Sequence, residues 1–140
     1  MRMPSMGAVG VAGGLCAVAC SLAVWMSAAT WGQAQALADA PLRHVVLFKF
    51  KPQATPEQVE RIVEGFQKLP QKIEGITGFE WGTDVSPEGL SEGYTHCFVV
   101  TFRNAQARDA YLPHPEHQQF VALLRPHLEK VLVVDYFARK

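Results

Sequence analysis

The most restrictive feature of this sequence is a set of short stretches that are apolar at consecutive positions. Residues 43–51 and 94–102 are rich in β-branched and aromatic residues and contain no strand breaker, which predicts two β-strands. In both stretches the apolar residues occupy both faces: Val46, Phe48 and Phe50 against Val45 and Leu47, and Phe98, Val100 and Phe102 against Cys97 and Val99. A sheet covered by helices on one side only should have a polar second face. We therefore expect a homodimer in which two sheets pack face to face and close into a barrel.

The order of the elements predicts the fold class. Strands are expected at 43–51, 75–85, 94–102 and 131–137, with a polar loop at 86–93 between the middle two. A helix is expected from the capping sequence Thr55-Pro56-Glu57-Gln58, a second at 104–112 and a third after Pro115. Helical spacing supports the first and third helices through Val59, Ile62, Val63, Phe66 and Leu69, and through Phe120, Val121, Leu124 and Leu128. The order βαββαβ predicts an α+β, ferredoxin-like fold, a four-stranded antiparallel sheet with helices on one face.

An apolar segment precedes this domain. Arg2 is the only charged residue before Asp39, and residues 7–29 are rich in Ala, Val, Gly and Leu. A basic start, an apolar run and small residues at its end indicate a signal peptide, and Ala36-Leu37-Ala38 fits a cleavage site. We expect residues 1–38 to be the signal peptide, 39–42 a short linker and 43–140 the domain, in the periplasm or outside the cell. There are two alternatives. The segment could remain uncleaved as a membrane anchor with the domain outside, which is the one membrane association we expect. Cys20 could instead be a lipidated N-terminus.

Charge and cysteine content limit the partners of the mature chain. Removing Arg2 leaves 12 Lys and Arg against 13 Asp and Glu, a net charge of −1. No basic excess remains to neutralise a phosphate backbone, so we expect no nucleic-acid partner. Cys16 and Cys20 leave with the signal peptide, so Cys97 is alone and no disulfide forms within the cleaved chain.

The candidate functional residues are histidines and one tyrosine. His44 and His96 lie near the start of the first and third predicted strands. Each is an even number of positions from the core residues of its strand, so both are expected on the helix-covered face. Tyr111, His114 and His117 follow at spacings of three, and Pro115 favours a helical turn between the two histidines. Together they predict a ligand pocket between sheet and helices. An imidazole can exchange protons near neutral pH, and a phenol can donate a hydrogen bond to a carbonyl oxygen.

Two other interpretations of these residues remain. They are also consistent with hydrogen-bonded polar side chains in a partly buried seam. His114 and His117 have a spacing that could share a metal ion, but no acidic residue or cysteine completes an obvious ligand set. We therefore predict no metal site and no cofactor.

Five segments resemble one known family. They are residues 45–51 (VVLFKFK), 81–86 (WGTDVS), 93–96 (GYTH), Tyr111 with 114–117 (HPEH), and 130–136 (KVLVVDY). In order and with few gaps, they are similar to the stress-responsive dimeric α/β-barrel (Dabb) domain, including plant heat-stable stress proteins and a plant polyketide cyclase. The resemblance implies a ferredoxin-like monomer that pairs through its sheet.

The resemblance also implies possible roles for the site residues. In the plant cyclase a tyrosine and a histidine at the positions of Tyr111 and His117 act as acid and base, and histidines at the positions of His44 and His96 line the same pocket. The segment 65–77 departs from the plant pattern at Pro70, and the export signal is a further departure. We expect an exported homodimer that binds a small aromatic or polyketide-like ligand or has a stress-related role. The alternative is a cyclase- or isomerase-like enzyme.

Overall fold

The computed structural model describes residues 40–138. The predicted signal peptide, with its cleavage site and its alternative fates, lies outside the described residues. Within residues 40–138 no helix is long and apolar enough to cross a membrane. The elements are β1 (Leu42–Phe50), α1 (Pro56–Gln67), β2 (Ile76–Thr83), β3 (His96–Phe102), α2 (Ala105–Tyr111), α3 (Pro115–Leu124) and β4 (Leu128–Phe137).

The four strands form one sheet in the order β2-β3-β1-β4, and every neighbouring pair is antiparallel. This order brings the two ends of the domain together, because β4 lies beside β1. The predicted ferredoxin-like βαββαβ fold is confirmed. Alternate residues of β1, starting at Leu42, are buried on the face that packs against the helices.

Helix α1 begins as its sequence predicts. The backbone N–H of Gln58 donates to the Thr55 hydroxyl oxygen at 3.3 Å, and the Thr55 N–H donates to the Gln58 side-chain oxygen at 2.9 Å. This reciprocal pair satisfies two N–H groups that the first turn leaves free, and Pro56 needs no partner at its position. The helix then turns Ile62 and Phe66 into the core.

The third helix is shorter than its apolar pattern suggests, and the placement of Leu128 in it was wrong. Helix α3 ends at Leu124, a 3₁₀ turn covers Arg125–His127, and Leu128 is the first residue of β4. Pro126 explains the difference, because it has no N–H to donate back into the helix and its ring crowds the preceding turn.

Aromatic side chains fill the centre of the core between the sheet and the helices. The ring of Phe66 lies 4.7 Å from that of Phe98 and 4.6 Å from that of Phe120, measured between centroids. Phe48 adds a contact of 5.0 Å to Phe98. These distances are favourable for aromatic pairs, and the cluster closes one end of the space in which the candidate site lies.

The opposite face of the sheet is apolar and uncovered by the described residues. On β4, Leu132, Val134 and Tyr136 are each 44–47 % exposed. Leu132 pairs with Leu47 and Val134 with Val45, so the surface continues across β1. An antiparallel sheet with a free face normally presents polar residues there. This face is instead apolar, as the sequence indicated.

Candidate ligand pocket

A cavity of about 350 Å³ lies between the sheet and the helices, within the range of small-ligand pockets. Strands β1 and β4 form its floor, and α2 and α3 form its walls. Most of its lining is aliphatic or aromatic. The polar groups are few: the imidazoles of His44 and His117, the phenol of Tyr111 and the guanidinium of Arg125.

His44 is held by a chain of charged groups. Its ring is buried, and Nδ1 lies 2.6 Å from a carboxylate oxygen of Asp135, the residue opposite it on β4. The second oxygen of Asp135 contacts the guanidinium of Arg108 from α2. Burial, together with the positive charge of Arg108, lowers the pKa of His44 to about 4.

This arrangement fixes the tautomer of His44. The imidazole is neutral at neutral pH and carries one ring proton. The ionised Asp135 can only accept a hydrogen bond, so Nδ1 carries the proton and donates it. Nε2 is then a hydrogen-bond acceptor on a residue that lines the cavity.

His117 is oriented in the same way by a backbone group. Its Nδ1 lies 2.9 Å from the carbonyl oxygen of Leu112, which can only accept, so Nδ1 donates and Nε2 is left as an acceptor. Burial lowers the pKa of His117, the bond to Leu112 partly offsets this, and the charges of His44 and His114 lower it further. A neutral imidazole with a free Nε2 can accept a proton.

Tyr111 lies near both histidines. Its ring centroid is 4.1 Å from that of His117 and 6.0 Å from that of His44. The side chain is only 1 % exposed, and burial raises the pKa of its hydroxyl. The phenol therefore keeps its proton and is available as a hydrogen-bond donor. One donor near two acceptors can bind a carbonyl compound and can exchange protons with it.

The structure does not bring His96 to this cavity. His44 and His96 share a face, as their parity predicts, but His44 pairs with Val100 while His96 pairs with Phe48. Four residues of β1 separate the two positions, about 13 Å along the strand. Odd or even position along a strand determines which face of the sheet a side chain occupies. The antiparallel direction of β3 places its first residue beside the C-terminal end of β1, away from His44.

His96 lines a different cavity, of about 580 Å³, between α1 and the ends of β2 and β3. Its ring stacks on Trp81 with an interplanar angle of 4°. His114 also lies outside the lining of the smaller cavity. It caps α3, where its Nδ1 accepts a hydrogen bond of 3.2 Å from the N–H of Glu116. The single pocket expected to contain all four histidines is thus reduced to His44, His117 and Tyr111.

Sequence reasoning missed Asp135, Arg108 and Arg125. Asp135 carried a usable signal, since it is a charged residue in an apolar strand, on the same parity as Val131 and Val133. Arg108 lies in α2 and Arg125 in the 3₁₀ turn after α3, and nothing in their local sequence marks them. Within residues 40–138 no three His, Cys, Asp or Glu side chains are grouped so that they could hold a metal ion.

Fold and cavity together define a ferredoxin-like α+β domain with a His/Tyr-lined pocket. The chain belongs to the stress-responsive A/B barrel domain (Dabb) family, whose family model matches residues 42–138. It is 42 % identical over 99 residues to the stress-response A/B barrel domain-containing protein HS1 of Arabidopsis thaliana, covering 71 % of this chain and 91 % of that protein. It is 34 % identical over 99 residues to olivetolic acid cyclase of Cannabis sativa, covering 71 % and 98 %.

The fold is also similar to that of a solved structure, a dimeric ferredoxin-like protein of unknown function from Thermobifida fusca. The TM-score is 0.61 and the identity 29 %, over 71 % of this chain and 92 % of that one.

Proposed function

We propose that this protein is an exported homodimer that binds a small, mainly apolar carbonyl compound, of aromatic or polyketide-like type, in the cavity beside Tyr111. The observation that carries this proposal is that the Tyr111 phenol and two neutral imidazoles near it line one apolar cavity. Binding ranks above chemistry because export removes the domain from the cytoplasm, where polyketide intermediates are made. A stress-related role, which the name of the HS1 relative carries, would act through this ligand.

Binding is tested by calorimetry with 2,4-dihydroxybenzoate and with neutral aromatic ketones as probes. His117→Asn is the informative variant, because its amide can still donate to Leu112 but presents no Nε2. Saturable binding by the wild type that weakens in His117→Asn supports the proposal. His127→Asn, a histidine substitution outside the cavity, is the control. No saturable binding by any probe, with a cavity empty in crystals soaked at high concentration, overturns it.

The homodimer is supported by the apolar outer face of the sheet. On β4 of that face Leu132, Val134 and Tyr136 are each 44–47 % exposed in the single chain. A second copy of the chain packed on this face would remove these apolar side chains from water. The likeness to a protein described as dimeric adds support.

Sedimentation tests the dimer. We expect a dimer at micromolar concentration for the wild type and a monomer for Val134→Glu, because the charge would be buried in the interface. Val85→Glu makes the same change at a residue that is 90 % exposed in the β2–β3 loop and should stay dimeric. A stable wild-type monomer at this concentration contradicts the proposal.

Export is tested by expressing the full chain and fractionating the cells. We expect a mature protein beginning at Asp39 in the periplasm or medium, since the signal peptide is proposed to cover residues 1–38. Full-length protein that stays in the membrane fraction would instead indicate an uncleaved anchor facing outside. Uncleaved protein in the cytosol would contradict export.

A second candidate function is acid–base catalysis, favoured by the 4.1 Å separation between the rings of Tyr111 and His117 and by the likeness to olivetolic acid cyclase. His117 Nε2 would remove a proton from a carbon next to a carbonyl, while the Tyr111 hydroxyl hydrogen-bonds the oxygen that becomes the enolate. The enolate carbon would attack a second carbonyl, and the resulting alkoxide would take the proton back.

Catalysis is tested by measuring turnover of a poly-β-keto thioester by wild type, Tyr111→Phe and His117→Asn. We expect the turnover rate to fall about 100-fold in the His117 variant, a loss typical for removal of a general base. Product formed at the same rate by all three proteins rejects the assigned roles.

A further inference from the structure

The smaller cavity carries one formal charge on its lining. Val, Leu and Phe side chains form most of the surface, and the lining includes no carboxylate. His44 and His117 are neutral at neutral pH because burial lowers their pKa values, and burial keeps the Tyr111 phenol protonated. The remaining polar group is the guanidinium of Arg125, which is permanently charged.

Arg125 lies at the mouth of the cavity and is not engaged by a protein carboxylate. It is exposed and is the first residue of the 3₁₀ turn that follows α3. Among residues 40–138, no Asp or Glu oxygen comes within 4.0 Å of its guanidinium. Arg108 differs, because both Asp109 and Asp135 contact it. The five N–H donors of Arg125 are therefore available to a ligand.

We propose that Arg125 makes the cavity selective for small carboxylic acids, holding the ligand carboxylate at the mouth while the apolar body lies inside. This inference rests on the proposed binding function and narrows its ligand class to aromatic or β-keto acids. A guanidinium matches a carboxylate geometrically through two parallel N–H···O bonds. The apolar body would cover Val131 and Val133, which line the cavity and are 48 % and 49 % exposed without a ligand.

A structural role for Arg125 makes a different prediction. A cation near the C-terminal end of α3 stabilises the helix through its dipole, whatever the geometry of the charge. Lysine would preserve that effect and lose the paired bonds. Arg125→Lys therefore separates the two roles: a dipole role predicts wild-type properties, and carboxylate recognition predicts weaker acid binding at unchanged thermal stability.

The experiment compares 2,4-dihydroxybenzoate with its methyl ester by calorimetry on the purified exported protein. We expect the wild type to bind the acid about fivefold more tightly than the ester, a modest factor because the pair is partly exposed. The preference should shrink at high salt. Arg125→Gln should lose the preference and bind the acid only as well as the ester. Arg61→Gln, at an exposed arginine outside the cavity, should keep the preference.

The outcomes separate this inference from the function on which it rests. Equal binding of acid and ester by the wild type overturns the role of Arg125 and leaves the binding function intact. A preference for the acid that persists in Arg125→Gln overturns the role as well. If the wild type binds neither probe, both the proposed function and the inference fail.

Discussion

Acid should weaken this fold through His44. Its pKa is about 4 in the folded protein, against 6.5 for a free histidine. Above pH 6.5 the ring is neutral in both states and contributes no pH dependence. As the pH falls below 6.5, the unfolded chain takes up a proton that the folded chain does not accept until about pH 4. The unfolded state is therefore favoured throughout this window.

The size of the effect follows from the same two pKa values. Their difference corresponds to a loss of about 3 kcal/mol of unfolding free energy once the pH has fallen below both pKa values. About 2 kcal/mol of this should be lost by pH 5. Burial also lowers the pKa values of His96 and His117, so both add to the slope in the same direction. The wild-type profile alone thus cannot isolate His44.

The variant His44→Asn isolates the contribution of His44 to the pH dependence of stability. The asparagine amide can still donate to Asp135, but it does not titrate. Urea unfolding of both proteins at one concentration, at pH 7.5, 6 and 5, gives the free energies. We expect His44→Asn to start less stable, because the smaller side chain leaves space, and to lose about 2 kcal/mol less than the wild type between pH 7.5 and 5.

Two results would refute this reasoning. Parallel loss of stability in the wild type and His44→Asn would show that His44 does not carry the effect. The same flattening in His127→Asn, which removes a histidine outside the cavity, would show that the change is not specific. NMR titration of the His44 ring offers a direct measurement, and a pKa at or above 6 would contradict the account.

Three further predictions concern stability and are measured by urea unfolding. Gly75→Ala should cost about 3 kcal/mol, because φ is +91° and the new Cβ would lie 2.6 Å from the Cβ of Ala107; a loss below 1 kcal/mol would contradict this. Asp135→Ala should cost about 2 kcal/mol by leaving the buried Nδ1–H of His44 without an acceptor, and a neutral effect would argue against the bond. Thr55→Ala should cost about 1 kcal/mol through loss of the α1 cap, and an unchanged midpoint would count against the capping box.

The sequence predicted the fold well because its signals are local. Thr55 and Gln58 mark the start of α1 within four residues, and alternation along β1 and β3 identifies the residues that face the helices. Pro126 shows the limit of periodicity, because Leu128 continues a helical apolar pattern beyond the point at which the backbone can remain helical.

The sequence predicted only part of the candidate site. The short spacing from Tyr111 to His117 lies within one local segment, so proximity followed from the chain itself. The position of His96 did not, because parity gives the face of a strand and the pairing direction gives its end. The separation of His96 from His44 therefore depends on the antiparallel register of β1 and β3.

What the sequence determined by itself was the order of the elements, the apolar outer face and the residue types available for proton exchange. Only the tertiary structure joined His44 to Asp135, 91 positions away, and Asp135 to Arg108. The contact with Asp135 sets the tautomer of His44, and burial together with the positive charge of Arg108 lowers its pKa. These effects depend on burial and on β4 pairing with β1, and neither property belongs to a local stretch of chain.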